Sequence, residues 1–175
     1  MAGIIKVNQY QDFNGNTLFT SDGSGNLTTL KTNYPAFEAY LNADTNVSDA
    51  TWTIVSNTIE AFDTHNYYDT SAYTFTPQVA GRYFVYGSIR HQSSSANTLS
   101  SLATAIYFNG SAYKSGNFDP NSTENVASLD VSAIINFNGS TDNVSLYGYN
   151  DVSGGTPRFD SGTKSTYFGA YRIGS

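Results

Sequence analysis

The side chains of this sequence that could perform acid–base or metal chemistry are few and far apart. There are two histidines, His65 and His91, and no cysteine. A catalytic zinc ion held by three side chains would need both histidines and a carboxylate. His65 lies in a polar, turn-like stretch, and His91 follows Arg90 at the end of a predicted strand. There is no nucleophile elbow, phosphate-binding glycine loop or His-Glu-x-x-His motif, so we predict a non-enzymatic protein with no catalytic residue, resident metal or cofactor.

Two short segments near the N-terminus space oxygen ligands like the first half of an EF-hand calcium loop. The pattern is Asp-x-Asn-x-Asn at residues 12–16 and Asp-x-Ser-x-Asn at residues 22–26. Both segments lack the glycine at the sixth position and the glutamate at the twelfth position that such a loop requires. Asp and Asn side chains also bond to nearby backbone groups in tight turns. The sequence therefore favours two turns over two calcium sites.

Tyrosine is the remaining side chain with binding chemistry, because its large ring packs against apolar surfaces while its hydroxyl forms a hydrogen bond. The chain contains 14 tyrosines. One candidate platform for a glycan consists of Tyr67, Tyr68, Tyr147 and Tyr149. Tyrosines on strand faces also pack in cores and at subunit interfaces, and the sequence leaves both interpretations open.

Composition limits the classes of partner. Only 13% of the residues are charged, the formal net charge is −6, and the eight lysines and arginines are scattered along the chain. A nucleic-acid-binding surface needs clustered basic side chains, so no nucleic-acid partner is expected. No apolar stretch approaches the roughly 20 residues of a membrane-spanning helix, so no membrane insertion is expected. The N-terminal residues lack the features of a signal peptide, and we expect synthesis in the cytoplasm.

The elements that must position these residues have the alternation of β-strands. Apolar residues recur at every second position in the segments 83–89, 102–108, 129–137 and 144–149. Such a period of two is typical of strands with one buried face. Asn109-Gly110 and Asn138-Gly139 separate consecutive segments, and Asn-Gly favours the two-residue turn of a β-hairpin. The segment 35–41 fits either a short helix or a strand. Many short strands with regular turns predict an all-β sandwich or jelly-roll.

Residues 1–31 differ from the rest of the chain, because they are rich in glycine and asparagine and contain two similar units ten residues apart. Two repeats are too few to stand alone, so this segment is predicted to be an arm of short strands and tight turns that needs a partner surface. The apolar residues that would attach the arm to its partner are Ile4, Ile5, Val7, Leu18, Phe19 and Leu27.

Residues 34–173 carry an ordered set of motifs. The most specific is a Pro-x-x-x-Gly-x-Tyr element formed by Pro77, Gly81 and Tyr83, and a Phe-Gly pair, Phe168-Gly169, lies in the last strand-like segment. This order resembles the C1q/TNF-like superfamily, the globular heads of complement and their tumour-necrosis-factor relatives. The resemblance implies a jelly-roll head whose corner is defined by these five residues, which serve the fold and contact no ligand. It also implies a homotrimer.

The sequence departs from the animal members of that superfamily, since it has no collagen-like stalk, no signal peptide and no cysteine. A Gly/Asn-rich arm on such a head resembles bacteriophage virion proteins instead. We therefore expect a trimeric capsid decoration or cement protein on the virion surface, with residues 1–31 attaching to other virion proteins and residues 34–175 forming the displayed head. The alternative is a receptor-binding tip of a tail or fibre that attaches to the host cell, with a host-surface glycan or protein as its partner.

Overall fold

The computed structural model describes residues 9–25, 27–28 and 34–174. The chain divides into two units, the N-terminal unit Met1–Asn33, which contains the predicted arm, and the head Tyr34–Ser175. Within the described residues every regular element is a β-strand, so the prediction of an all-β fold is confirmed. The segment 35–41, which fitted either a helix or a strand, contains a strand at Ala36–Tyr40.

The described part of the N-terminal unit forms a three-stranded antiparallel sheet. Its strands are β1 (Gln9–Gln11), β2 (Thr17–Ser21) and β3 (Leu27–Thr28), in the order β1-β2-β3. The rings of Tyr10 and Phe19 contact each other across β1 and β2, with centroids 4.5 Å apart. Leu18 is exposed, Leu27 begins β3, and Ile4, Ile5 and Val7 lie outside the described residues. Whether these residues attach the chain to a partner stays a prediction.

The head contains the remaining strands, which are short near its start and long in its second half. They are β4 (Ala36–Tyr40), β5 (Thr45–Asn46), β6 (Thr53–Ile54), β7 (Ile59–Asp63), β8 (Tyr68–Asp69), β9 (Thr74–Phe75), β10 (Gly81–Ser93), β11 (Leu99–Phe108), β12 (Ser111–Phe118), β13 (Val126–Phe137), β14 (Val144–Val152), β15 (Pro157–Asp160) and β16 (Tyr167–Gly174).

These strands build two antiparallel sheets. In the first sheet, β10 pairs with β13 along one edge and with β15 and β16 along the other; β4 and β7 extend the sheet from β16, and β5 pairs with β15. The second sheet has the order β12-β11-β14-β9-β8, with β6 also paired to β14. Buried residues from both sheets form the main hydrophobic core, so the head is a sandwich of two layers, and Leu99, Leu102 and Val152 form a smaller buried cluster.

Aromatic rings fill the centre of this core. Phe37 from β4 stacks on Tyr68 and Phe75, with centroids 4.6 and 4.4 Å away, and meets Phe168 edge-on at 5.3 Å. Each of these rings is buried. Burial of one such side chain contributes about 1.5–3 kcal/mol, and offset or edge-on ring pairs add to that value. This cluster joins strands of the first sheet to strands of the second.

One of the two predicted Asn-Gly hairpins is present. Asn109 and Gly110 join β11 to β12 with φ values of 50° and 76°, as a two-residue turn with two left-handed residues requires. The prediction for Asn138-Gly139 is wrong, because residues 138–143 form a longer loop from β13 in the first sheet to β14 in the second. The Asn138 side-chain oxygen accepts backbone N–H groups of Ser140 and Thr141, which stabilises this loop in place of a tight turn.

The corner before β10 depends on the residues that the resemblance singled out. Pro77 is buried, and the hydroxyl of buried Tyr83 donates to the backbone oxygen of Val79 at 2.8 Å. Gly81 has a φ of 142°, and a Cβ there would lie 2.3 Å from the backbone oxygen of Gly174. Phe168 is buried in the core. Pro77, Gly81, Tyr83 and Phe168 thus fix the backbone of this corner and fill the core beneath it.

His91 is placed differently from the expectation that it ends a strand. Strand β10 continues to Ser93, and His91 lies inside it with no exposed surface. One ring nitrogen bonds to the side-chain oxygen of Asn150 on β14, and the other lies 2.9 Å from the hydroxyl of Thr104 on β11. A buried polar group that is hydrogen-bonded at both nitrogens is a stable core residue. His91 thus links the two sheets.

Gly81→Ala is expected to lower the free energy of unfolding by about 1 kcal/mol or more, because the new Cβ would clash with backbone in a conformation that disfavours side chains. Gly110→Ala is the matched control, since Gly110 also has positive φ but no atom within 4 Å of its Cβ position. Urea unfolding of both variants measures the difference. An equal loss in the two variants would show that the contact with Gly174 carries no cost.

The head is expected to lose stability as the pH falls from 6.5 to about 4. Burial lowers the pKa of His91 from 6.5 to about 4, so in that interval the unfolded chain binds a proton that the folded chain excludes. The loss is at most about 3 kcal/mol, and it is complete near pH 4. Asp44, whose pKa is lowered by hydrogen bonds from Ser161, loses its contribution only at more acidic pH.

Urea unfolding of the wild-type chain and of a His91→Gln variant, at several pH values between 7 and 4, tests this expectation. Glutamine keeps hydrogen-bonding capacity but does not titrate, so the pH dependence in this interval is expected to disappear. Equal slopes in the two proteins would rule out His91 as the cause.

Candidate functional site

The described residues contain no group of three His, Cys, Asp or Glu side chains that could hold a metal ion. Both ring nitrogens of His91 are used inside the core. The Nδ1 atom of His65 lies 2.7 Å from the hydroxyl of its neighbour Thr64, and its backbone N–H donates to Asp63. Each histidine thus has its own local hydrogen-bond partners.

Among the residues that the structure describes, no helix has the length and apolar character needed to cross a membrane.

The two segments with calcium-like spacing contain turns. In the first segment, Asp12 accepts backbone N–H groups of Asn14 and Asn16 at 2.9 and 2.8 Å, and also the side-chain amide of Asn16. These hydrogen bonds, the side-chain one first, lower the pKa of Asp12. In the second, Asp22 accepts the N–H of Ser24 at 2.7 Å. Both carboxylates bind the backbone of their own turn, as the preference for turns predicts.

The structure does not bring the four tyrosines of the predicted glycan platform together. Tyr68 is only 6% exposed, and its hydroxyl donates to the backbone oxygen of Asn57 at 3.0 Å. Burial raises its pKa well above the ordinary range. Tyr68 is therefore a core residue, and its inclusion in an exposed platform was wrong. Tyr67 is half-buried beside His65, with ring centroids 5.4 Å apart.

Tyr147 and Tyr149 instead join two aromatic residues that the sequence analysis did not single out. Tyr147 stacks on Tyr107 of β11 with centroids 4.0 Å apart, and Trp52 lies 6.0 Å from Tyr107 and 5.6 Å from Tyr149. Trp52 is 39% exposed, and the three tyrosines are half-buried. We call these four residues the Trp52 platform; it lies on the outer side of the second sheet.

The outer side of the first sheet carries a second aromatic surface. Alternation along β10 turns Tyr83, Val85 and Ile89 into the core and leaves the residues between them outside. Paired strands add further aromatic and aliphatic side chains to this side, because Phe84 lies between Ile134 of β13 and Tyr171 of β16. We call this surface the β10 face, which consists of Phe84, Tyr86, Ile134, Tyr167 and Tyr171.

The rings of the β10 face are in mutual contact. The Phe84 ring lies 5.8 Å from that of Tyr86 and 5.5 Å from that of Tyr171, and Tyr167 lies 6.2 Å from Tyr86. Ile134 and Tyr171 are 57% and 46% exposed. Between Tyr86 and Tyr167 there is a depression of about 220 Å³ that reaches Asp130. The surface is therefore a continuous aromatic patch with one polar depression.

A glycine shapes the centre of the β10 face. Tyr86, Gly169 and Glu38 lie side by side on β10, β16 and β4. A Cβ on Gly169 would lie 2.5 Å from the Tyr86 ring, so only a glycine lets that ring pass over β16. The Tyr86 hydroxyl then donates to Glu38 Oε2 at 2.9 Å. Burial, followed by this bond, raises the pKa of Tyr86 well above its ordinary range. Gly169 thus belongs to this surface as well as to the fold.

No protein-family model matches the chain, and no curated protein sequence matches it either. Solved structures do match. The crystal structure of murine APRIL at pH 5.0 aligns with a TM-score of 0.60 and 8% identity, over 80% of this chain and 99% of that chain. Murine APRIL at pH 8.0 gives a TM-score of 0.59 with the same identity and coverage. The globular domain of a zebrafish complement 1qA protein aligns with a TM-score of 0.54 and 14% identity, over 78% and 93% of the two chains. The head therefore has the C1q/TNF-like jelly-roll fold that its ordered motifs predict.

Proposed function

We propose that the chain is a non-enzymatic structural protein that assembles as a homotrimer through the β10 face. The observation that carries this proposal is the exposure of a contiguous aromatic and aliphatic surface on the first sheet, where exposed Ile134 and Tyr171 lie on either side of Phe84. Ile173, also on β16, is exposed as well. Contiguous apolar patches of this kind on a soluble protein mark interaction surfaces. The C1q/TNF-like fold supports a trimer as the form of self-association.

The composition of the β10 face fits a subunit interface. Interfaces are enriched in aromatic side chains, and their buried centre is more apolar than the rest of the surface and depleted of charge. Of the two carboxylates near the rings, that of Glu38 is already bonded to the Tyr86 hydroxyl, and that of Asp130 lines the polar depression. A paired carboxylate is less costly to bury than a free one. The β10 face is thus suited to pack against another copy of this chain, either against the same face or against an edge of its sheet.

We further propose that the protein lies on the surface of a bacteriophage particle as a capsid decoration or cement protein, attached by residues 1–31. The small sheet of the N-terminal unit supports this, because among its described residues the outer strands β1 and β3 are each paired on one side only, and such an edge can accept a strand from another chain. Its exposed Leu18 and Tyr10 offer apolar contacts. A three-stranded sheet of this length gains stability by packing on a partner.

The second candidate function is a receptor-binding tip of a tail or fibre. The Trp52 platform favours this candidate, because it places an exposed tryptophan on the sheet that does not carry the β10 face. In that case the head would contact a host-surface glycan or protein, and the arm would again hold the protein on the particle.

Tyr171→Glu is expected to weaken self-association at least about a hundredfold, because a charged side chain would be buried without a partner in the interface. Sedimentation at micromolar concentration measures the change from trimer to monomer. Trp52→Glu, at a similarly exposed aromatic on the other sheet, is the control and is expected to leave the trimer intact. A wild-type chain that sediments as a stable monomer would refute self-assembly.

A truncated chain that lacks residues 1–31 is expected to remain a folded trimer and to fail to join the particle. The head has its own core, so its melting temperature should change little, whereas the strand edges of the arm would be lost. Circular dichroism, sedimentation and occupancy on purified particles give the three readouts. Normal occupancy of truncated heads would place the docking surface on the head.

Particles without the protein separate the two candidate functions. Loss of a decoration protein is expected to reduce the resistance of the capsid to heat or osmotic shock and to leave adsorption intact. Loss of a receptor-binding tip is expected to abolish adsorption and to leave capsid stability unchanged.

A further inference from the structure

We infer that the Trp52 platform is a binding site for neutral glycans. This inference goes beyond the proposed assembly role and does not depend on it, because the platform lies on the second sheet and the β10 face lies on the first. Two observations carry it: the way in which the strands hold the four rings, and the near absence of charge around them.

Strand register holds the rings in place. Tyr147 lies opposite Ala105 and Tyr149 opposite Ala103, so two large rings on β14 face two small side chains on β11. Ala105 points outward, between inward-facing Thr104 and Ile106, yet it has no exposed surface. Outward residues can be covered only by their neighbours on the same side, and the tyrosine opposite is the nearest large one. The Tyr147 and Tyr149 rings therefore have room to lie over Ala105 and Ala103.

Trp52 completes the platform from the neighbouring strand. It immediately precedes β6, in which Thr53 pairs with Gly148, so the same register brings Trp52 beside Tyr149. The indole is the most exposed of the four rings. It offers a flat apolar surface about the size of one sugar ring, and the rings of Tyr107 and Tyr149 lie beside it. Burial, together with the nearby Tyr147 phenol, raises the pKa of Tyr107, so the Tyr107 hydroxyl stays protonated and can donate a hydrogen bond at neutral pH.

The chemistry of a sugar fits this arrangement. A pyranose ring has a face of C–H groups that packs on an aromatic ring and a rim of hydroxyls that bond to polar side chains. Among the outward-facing residues of β11 and β14, which the structure describes along their whole length, Asp151 alone is charged; the others are Ser101, Ala103, Ala105, Tyr107, Ser145, Tyr147 and Tyr149. Such a surface suits a neutral, hydroxyl-rich ligand. Phosphates and acidic sugars would be repelled by the Asp151 carboxylate and by the net charge of −6 on the protein.

Other occupants fit less well. A quaternary ammonium group needs a cage between aromatic faces, but Tyr107 and Tyr147 are stacked on each other at 4.0 Å and leave no gap. A stable protein partner needs roughly 800 Å² on each side. Three half-buried tyrosines and one partly exposed tryptophan among serines and alanines offer a smaller apolar area. The size of the platform matches a short oligosaccharide.

Trp52 is the only tryptophan in the chain, so its fluorescence reports on this site alone. The full-length protein is titrated with a panel of neutral oligosaccharides: maltotriose, cellotriose, tri-N-acetylchitotriose, mannotriose and lactose. At least one of them is expected to shift the Trp52 emission in a saturable manner and to protect it from acrylamide quenching. Calorimetry then gives the affinity independently of fluorescence.

Two substitutions at Trp52 distinguish the loss of stacking on the sugar from a general loss of folded structure. Trp52→Ala is expected to weaken binding at least about tenfold, and Trp52→Phe, which keeps a flat ring, to stay within about threefold of the wild type. Tyr171→Glu on the other sheet should leave glycan affinity unchanged even where it dissociates the trimer. That variant keeps a failure of the glycan site distinct from a failure of the proposed assembly.

The inference is wrong if no sugar of the panel changes the emission or the heat signal up to about 10 mM, the limit of weak millimolar binding. It is also wrong if Trp52→Ala binds as tightly as the wild type, since the sugar would then bind elsewhere. A Trp52 emission that changes on dilution of the sugar-free protein would place the platform in a subunit interface and overturn the inference as well. The wild-type titration requires no variant, so misfolding of Trp52→Ala would not prevent the test.

Discussion

The packing of Phe37 against three other aromatic rings is the contact on which the head depends. Phe37 and Phe168 belong to the first sheet, and Tyr68 and Phe75 to the second, so this one cluster fixes the distance and relative position of the two layers. Near the C-terminal end of β10, His91 makes a polar link between the layers through Thr104 and Asn150. Apolar and polar links together define which side of each strand is inner and which is outer. Both proposed surfaces exist because the core leaves those outer sides free.

Much of the fold could be predicted from the sequence, because a period of two is a local property. The alternation at 83–89 already assigned Phe84 and Tyr86 to the side opposite Tyr83, and the structure has the same division. Asn109-Gly110 was predicted correctly since its turn needs only its own two residues. Asn138-Gly139 is the same dipeptide but does not form a hairpin turn, because β13 and β14 belong to different sheets. The sheet that a strand joins depends on strands that are distant in the sequence.

The surfaces were harder to predict, because each is assembled from strands that are far apart in sequence. Tyr147 and Tyr149 were candidates, but their partners Trp52 and Tyr107 depend on the pairing of β6, β11 and β14. Tyr68 is also a tyrosine but is a core residue, since it lies in β8 opposite Phe75 of β9, and both rings stack on Phe37. The local sequence pattern shows which residues of a strand share a face. The register of strand pairing decides which of those residues contact each other across strands.

The alternation along β10 also restricts how this protein can change during evolution. The residues of β10 alternate between the core and the outer side of the first sheet, and β10 is paired along both edges. The gain or loss of one residue within it would exchange the two sets, putting Arg82 and Phe84 inside and Tyr83 outside. Lineages of this protein should therefore differ by insertions in the loops and by substitutions in the strands, with the length of β10 constant.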